Sequence, residues 1–210
     1  MDHQYTQFQY LWPPRPEKPV PMNFLKVYES KKWVAQYKKN GTCNVIAVSP
    51  DRQIIAMNRH NEVHKSWEPT RASSELFRQL PGTGWYVFVA ELLHSKVEGL
   101  RDTNYIHDIL VADSDYLVGT PFIERQRKLK GLFLKGGEET TESHTVLNPN
   151  TWLARTYAGG FTKLFNGLSR PEDEGLVIKN PNAILTLCSR PSANADWQAK
   201  CRVGTKNYTF

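Results

Sequence analysis

Cysteine is scarce in these 210 residues: Cys43, Cys188 and Cys201 are an odd count with no CxxC pair. That speaks against both a disulfide framework and a thiolate zinc site, and for a reducing, cytoplasmic setting. No apolar run approaches the roughly 20 residues that a membrane-spanning helix needs. The opening Met1-Asp2-His3-Gln4-Tyr5 has neither the basic start nor the apolar stretch of a secretory signal. Several catalytic signatures are missing as well. There is no GxxxxGK[ST] phosphate loop, no GxGxxG after a strand and no GxSxG elbow. His60-Asn61-Glu62-Val63-His64 has its glutamate one place late for a zincin motif, so exposed or core-satisfied histidines are the expectation there.

What is plentiful is positive charge. Lys+Arg 27 against Asp+Glu 21 leaves +6, a balance suited to a polyanionic partner such as nucleic acid. Residues 15–39 carry seven lysines and arginines against two glutamates, and residues 122–135 five against one. Tyr28, Trp33 and Tyr37 interleave the first stretch, as base-stacking aromatics do in nucleic-acid-binding segments.

Five prolines between Pro13 and Pro21 force an extended course, so residues 1–21 read as a Pro-rich arm and residues 22–210 as the folded domain. Strands are expected at 33–38, 42–48 and 53–57, with Asn40-Gly41 turning the first two into a hairpin. Residues 71–80 and 121–134 have helical spacing. Further strands are expected at 85–91, 104–111, 176–179, 183–187 and 197–203. The class is α+β, antiparallel sheets with helices inserted between them.

Charged residues punctuate those strands. Lys38 ends one just before a tight turn, where an amine can be held rigidly at the mouth of a cleft; Lys39 alternates to the other face. A lysine nucleophile must be neutral to attack, and neighbouring cations or a metal lower its pKa. The bland alternative is a surface Lys-Lys pair. In Glu174-Gly175-Leu176-Val177-Ile178-Lys179 an acid and a base flank an apolar pair on opposite faces, and the glycine lets a ligand approach the backbone. Lys200 and Arg202 share one face of the last strand, a shape suited to phosphate.

In this order the residues resemble the covalent nucleotidyltransferases: ATP-dependent DNA and RNA ligases, with mRNA capping enzymes as relatives. Lys38-Lys39-Asn40-Gly41 matches their KxDG as KxNG, and Arg59 follows in Asn58-Arg59-His60-Asn61. Glu91 ends an apolar strand, Tyr105-Ile106-His107-Asp108-Ile109-Leu110 matches an aromatic-Asp-Ile-Leu strand, and Glu174–Lys179 meets EGLVxK in full. Lys200 and Arg202 meet the final KxK/R. The likeness spans roughly residues 24–203.

The resemblance implies an ATP-grasp-like nucleotide-binding cleft and an ATP-dependent polynucleotide ligase, of use in DNA replication or repair. It would join 5′-phosphate and 3′-hydroxyl ends through lysyl-AMP. It makes Lys38 the nucleophile and places Lys179, Lys200, Arg202 and a magnesium ion around the α-phosphate. Glu174 and Glu91 become metal carboxylates, and Glu91 also accepts from the ribose hydroxyls. Arg59 holds the ribose or the 3′-hydroxyl end. Gln36 and Tyr37 adjoin the nucleotide, with the Gln36 oxygen accepting from the adenine amino group; His107 or Tyr105 stacks on the base.

Cys43 stands where many DNA ligases have the arginine of KxDGxR, which leans the expectation towards RNA or mixed substrates, as nicked duplex or RNA ends. Only Val203–Phe210 follow Arg202, so the OB domain of relatives is not expected in this chain, which leaves a minimal ligase, a domain working with a partner that supplies the second one, or a piece of a longer protein. The competing readings are a GTP-dependent capping-type guanylyltransferase and a non-catalytic nucleic-acid-binding module.

Overall fold

The strands form two sheets in the computed structural model, which describes residues 11–94, 97–187 and 194–204. In chain order the elements are β1 (Arg15–Pro19), α1 (Leu25–Ser30), β2 (Val34–Lys39), β3 (Thr42–Val48), β4 (Ile54–Met57), α2 (Arg71–Arg78), β5 (Tyr86–Leu93) and β6 (Thr103–Ala112). They continue with β7 (Asp115–Tyr116), α3 (Phe122–Phe133), β8 (His144–Asn148), β9 (Thr151–Ala154), α4 (Phe161–Asn166), β10 (Asp173–Lys179) and β11 (Asn194–Arg202). One sheet runs β1-β11-β10-β2; the other runs β4-β3-β5-β6-β9-β8, with β7 paired to β6.

The smaller sheet shows the period-2 logic of a half-polar strand. Ala35, Tyr37, Leu176, Ile178, Ala199 and Cys201 turn to one side and join Leu25 of α1 and Phe161 and Leu164 of α4 in a core. Gln36, Lys38, Val177, Lys179, Lys200 and Arg202 turn to the other side and line a cleft. Register places Gln36 beside Val177 and Val177 beside Lys200, and likewise Lys38 beside Gly175 and Gly175 beside Arg202. Cations distant in sequence thereby become neighbours.

The larger sheet is buried more completely. Phe77 of α2 and Phe133 of α3 close over Phe88 of β5, with ring centroids 5.6 and 5.4 Å away. Burying each such ring is worth about 1.5–3 kcal/mol. Thr70 caps α2 by accepting from the Ser73 amide at 3.3 Å, and Pro121 stands at the N-cap of α3. Among the described residues, no helix is long and apolar enough to cross a membrane.

Three expectations are corrected. First, Asn40-Gly41 does not close a hairpin: β2 pairs with β10, whereas β3 pairs with β4 and β5. The dipeptide carries the chain from one sheet to the other, and the Asn40 amide donates to the Glu172 carbonyl at 2.8 Å. Glycine is needed at 41 for close approach, because a Cβ would lie 2.5 Å from the Leu92 carbonyl oxygen.

Second, residues 183–187 do not form a strand. They dock on the entry to α3 through the isolated bridges Val118–Leu185 and Pro121–Ile184, and Pro121 has no N–H with which to extend the ladder. Third, Arg15–Pro19, within the Pro-rich arm, is a strand running parallel to β11. Residues 1–10 of that arm, and Cys188, lie outside the described residues. The sequence reading also missed α1, α4, β8 and β9.

Candidate active site

Between the sheets lies a cleft of about 500 Å³, within the range of about 300–1,000 Å³ usual for small-molecule sites. The smaller sheet supplies Gln36, Lys38, Val177, Lys179, Lys200 and Arg202 as one wall. Cys43, Val89, Glu91, Tyr105 and His107 form the other, and Arg59 and His60 border the mouth from the turn after β4. Pro13, Pro14, Arg15 and Pro16 also border it.

Lys38 stands at the end of β2 with its ammonium in direct contact with Glu174 Oε1, and Arg202 Nη2 lies 3.5 Å from the same oxygen. Strict alternation would place Glu174 on the face opposite Lys179. A register shift between Asp173 and Gly175 removes that constraint and lets the carboxylate reach Lys38 from the rim of the cleft. Gly175, at φ 147°, has no room for a side chain, because a Cβ would run into the Cys201 carbonyl oxygen of β11. What approaches this glycine is the neighbouring strand, not a ligand as its sequence context predicted.

Deeper in the cleft the polar groups are interlocked. Lys179 Nζ, fully buried, donates to Gln36 Oε1 at 2.7 Å and lies 4.5 Å from the centre of the Phe122 ring. Burial holds its pKa down at about 8; Asp108 opposes that shift and Arg125 adds to it. Gln36 Nε2 donates to Gln126 Oε1 at 3.0 Å and to Thr156 Oγ1 at 3.1 Å. The Gln36 oxygen predicted to face adenine is thus already engaged by Lys179, leaving it one lone pair. Beneath them Arg125 grips Asp108 through two hydrogen bonds of 2.9 and 2.8 Å.

On the far wall, Gly41 N donates to Glu91 Oε1 at 3.1 Å. His107 is held neutral, its pKa near 3, by burial first and then by the charge of Lys179; its Nδ1 has no hydrogen-bond partner among the described residues. A neutral, desolvated ring of this kind suits packing against a base. Tyr105 borders the cleft beside it, but its hydroxyl is committed to the Tyr37 carbonyl at 3.2 Å. Lys200 is pushed below the usual lysine range by burial, then by Arg202 and Arg15.

Gln36, Lys38, Arg59, Glu91, Tyr105, His107, Lys179, Lys200 and Arg202 therefore line one cleft; Glu174 is not part of its lining and meets it through Lys38 and Arg202. Tyr37 also borders this cleft, but its ring turns to the opposite face of the sheet and packs edge-on to Tyr157, centroids 6.2 Å apart. Arg59 is exposed, with Nε 3.0 Å from His60 Nε2. Asn61, at φ 65°, makes this segment a turn, so His60 and His64 do not share a helix face. Sequence reading missed Gln126, Arg125, Asp108 and Arg15. Of these, only the Asp-Ile-Leu run offered a signal.

Among the described residues, no group of three or more His, Cys, Asp or Glu side chains is arranged to hold a metal. Magnesium needs less, since it is commonly held by one or two carboxylates together with substrate phosphates and water. Glu174 and Glu91, oxygen donors reaching the cleft from opposite sheets, fit that requirement.

No family model and no curated protein matches the chain. Solved structures do. The ligase domain of M. tuberculosis LigD superposes with a TM-score of 0.66 at 14% identity, covering 91% of this chain and 60% of that one. A mycobacterial DNA ligase D complexed with ATP and MES gives 0.66 at 15% identity, covering 93% and 62%. The ATP-dependent DNA ligase of bacteriophage T7, in complex with ATP, gives 0.57 at 12% identity, covering 90% and 68%. The chain thus spans about three fifths of the length of the LigD structures. It shares the α+β fold of these ligase structures.

Proposed function

We propose that this chain is an ATP-dependent polynucleotide ligase acting through a covalent lysyl-AMP on Lys38. The observation that carries this reading is the Lys38–Glu174 contact at the edge of a cleft whose walls also bear Lys179, Lys200 and Arg202. An amine, an adjacent proton acceptor and a surplus of cations are the parts that phosphoryl transfer to nitrogen requires.

The Lys38 ammonium must lose a proton before it can attack, and the acceptor in contact with it is Glu174 Oε1. The neutral nitrogen forms a P–N bond to the α-phosphorus while the P–O bond to pyrophosphate breaks. Lys179, Lys200 and Arg202 balance the charge that gathers on the phosphate oxygens. Magnesium bound by the Glu174 and Glu91 carboxylates would supply further positive charge there. His107 offers its neutral ring to the base, and Glu91 accepts from the ribose hydroxyls. The AMP then passes to a polynucleotide 5′-phosphate, releasing Lys38, and a 3′-hydroxyl displaces AMP to close the phosphodiester.

The test is incubation with ATP or GTP labelled at the α-phosphate, followed by addition of nicked DNA and RNA substrates. The reading expects an alkali-stable, acid-labile protein label from ATP and its discharge on 5′-phosphorylated ends. Label from GTP alone would move the protein to the capping chemistry. Salt-sensitive nucleic-acid binding without any label would make it a binding module.

A further inference from the structure

The Pro-rich segment is a strap between the two cores. Leu11 at one end is buried in the core of the larger sheet, and Val20 at the other is buried in that of the smaller. Between them Pro13, Pro14 and Pro16 fix the backbone along the cleft mouth. The strand they enclose is tied to the phosphate-facing wall. Arg15 lies beside Asn194 and Pro19 beside Lys200, and the Val20 amide donates to the Lys200 carbonyl at 2.9 Å.

Arg15 is the one cation on this strap that lines the cleft. Its charge acts on both walls: after burial and Arg202 it helps hold Lys200 below the usual lysine range, and with Arg59, the stronger of the two, it opposes the burial that pushes the Cys43 thiol up to about 12. Arg15 and Cys43 line the same cleft, and position 43 carries no charge of its own. Of the carboxylates nearby, Glu174 is engaged by Lys38 and Arg202, and Glu91 accepts from Gly41 N.

We propose that Arg15, held across the cleft mouth by the proline strap, is a phosphate-binding residue acting with Lys200 and Arg202. Its ligand is a phosphate group other than the one that joins Lys38. Such a group has two sources, the terminal phosphates of the nucleotide and the 5′-phosphate of a polynucleotide end. Naming those sources rests on the nucleotidyltransferase reading; the phosphate chemistry rests on the cations themselves.

The experiment titrates the wild-type chain, Arg15→Ala and Arg15→Lys with inorganic pyrophosphate, and with a 5′-phosphorylated oligonucleotide against its 5′-hydroxyl twin. Melting curves establish that each variant is folded. Arg15→Ala is expected to weaken the relevant phosphate about tenfold or more, with Arg15→Lys between it and wild type because lysine keeps the charge but loses the bidentate fork. Loss confined to pyrophosphate assigns the nucleotide tail, and loss of the preference for the 5′-phosphorylated strand assigns the polynucleotide end. Arg15→Ala affinities equal to wild type for both probes would overturn the proposal, and if Arg15→Ala does not fold, Arg15→Lys decides in the same way. Neither titration needs adenylylated Lys38. Arg15-dependent binding without label from ATP therefore defeats the ligase reading alone, and label with unchanged affinities defeats the Arg15 proposal alone.

Discussion

Lys38 and Lys39 are consecutive, yet one ammonium opens on the cleft and the other is sealed inside the protein. The Lys38 side chain is 15% exposed and meets Glu174; that of Lys39 is 0% exposed and lies 2.6 Å from Asp173 Oδ1. Lys39 Nζ also donates to Ser143 Oγ at 3.0 Å and sits 5.4 Å from the Tyr105 ring centre and 5.6 Å from that of Trp152. Neither lysine is the ordinary surface cation that a Lys-Lys pair before a turn would be.

Lys39→Ala is consequently a folding variant. It strands the buried Asp173 carboxylate, whose pKa burial already raises and which Lys39, ahead of Arg170, draws back. Removing one partner of a buried pair costs about 3–5 kcal/mol. Urea unfolding should show that loss, and Lys39→Met combined with Asp173→Asn should recover part of it. A cost below about 1 kcal/mol, the scale of an exposed pair, would show that the network is not buried in solution.

Gly175→Ala should detach β11. A Cβ there meets the Cys201 carbonyl oxygen, and φ 147° disfavours any side chain. A cost of about 3 kcal/mol corresponds to a melting point roughly 6–12 °C lower in a protein of this size. Because β11 carries Lys200 and Arg202, phosphate affinity should fall with it. An unshifted melting curve would contradict the strand packing described.

Lys179 gives two pH dependences of opposite sign. Its pKa is held at about 8 by burial first, with Arg125 adding to the effect against Asp108. An unfolded lysine keeps its proton to about pH 10.4. Between those values the unfolded chain binds more protons than the native one, so this residue's contribution to stability rises with pH. Phosphate binding needs the charged form, so ATP affinity should fall as pH passes about 8. Lys179→Arg should flatten the affinity profile. Affinity and stability falling together would indicate alkaline unfolding instead.

The cleft wall built from β2, β10 and β11 was legible because antiparallel pairing preserves parity. Gln36, Lys38, Val177, Lys179, Lys200 and Arg202 alternate with Ala35, Tyr37, Leu176, Ile178, Ala199 and Cys201, and alternation is what sequence displays. Partner choice was less visible. Asn40-Gly41 carries the same signal for a hairpin and for a step between sheets, and only the Leu92 backbone in space distinguishes them. Glu174 reaches Lys38 through a register shift that no periodicity encodes. β8 and β9 are short and hold His144, Asn148 and Thr151 among their apolar residues, too few positions for a period to emerge. The place of Arg15 in the cleft was hidden because proline-rich sequence reads only as an extended arm, whereas Leu11 and Val20 anchor this one at both ends.

The most direct measurement is peptide mass spectrometry of the purified protein after incubation with ATP and magnesium, worked up without acid and read at amine-linked AMP, an alkali-stable and acid-labile phosphoramidate. The account predicts a single modified side chain, Lys38, with the adduct absent from a folded Lys38→Ala variant and strongly reduced in Glu174→Ala. AMP on another residue, or a folded wild-type protein that binds ATP and never carries the adduct, would contradict it.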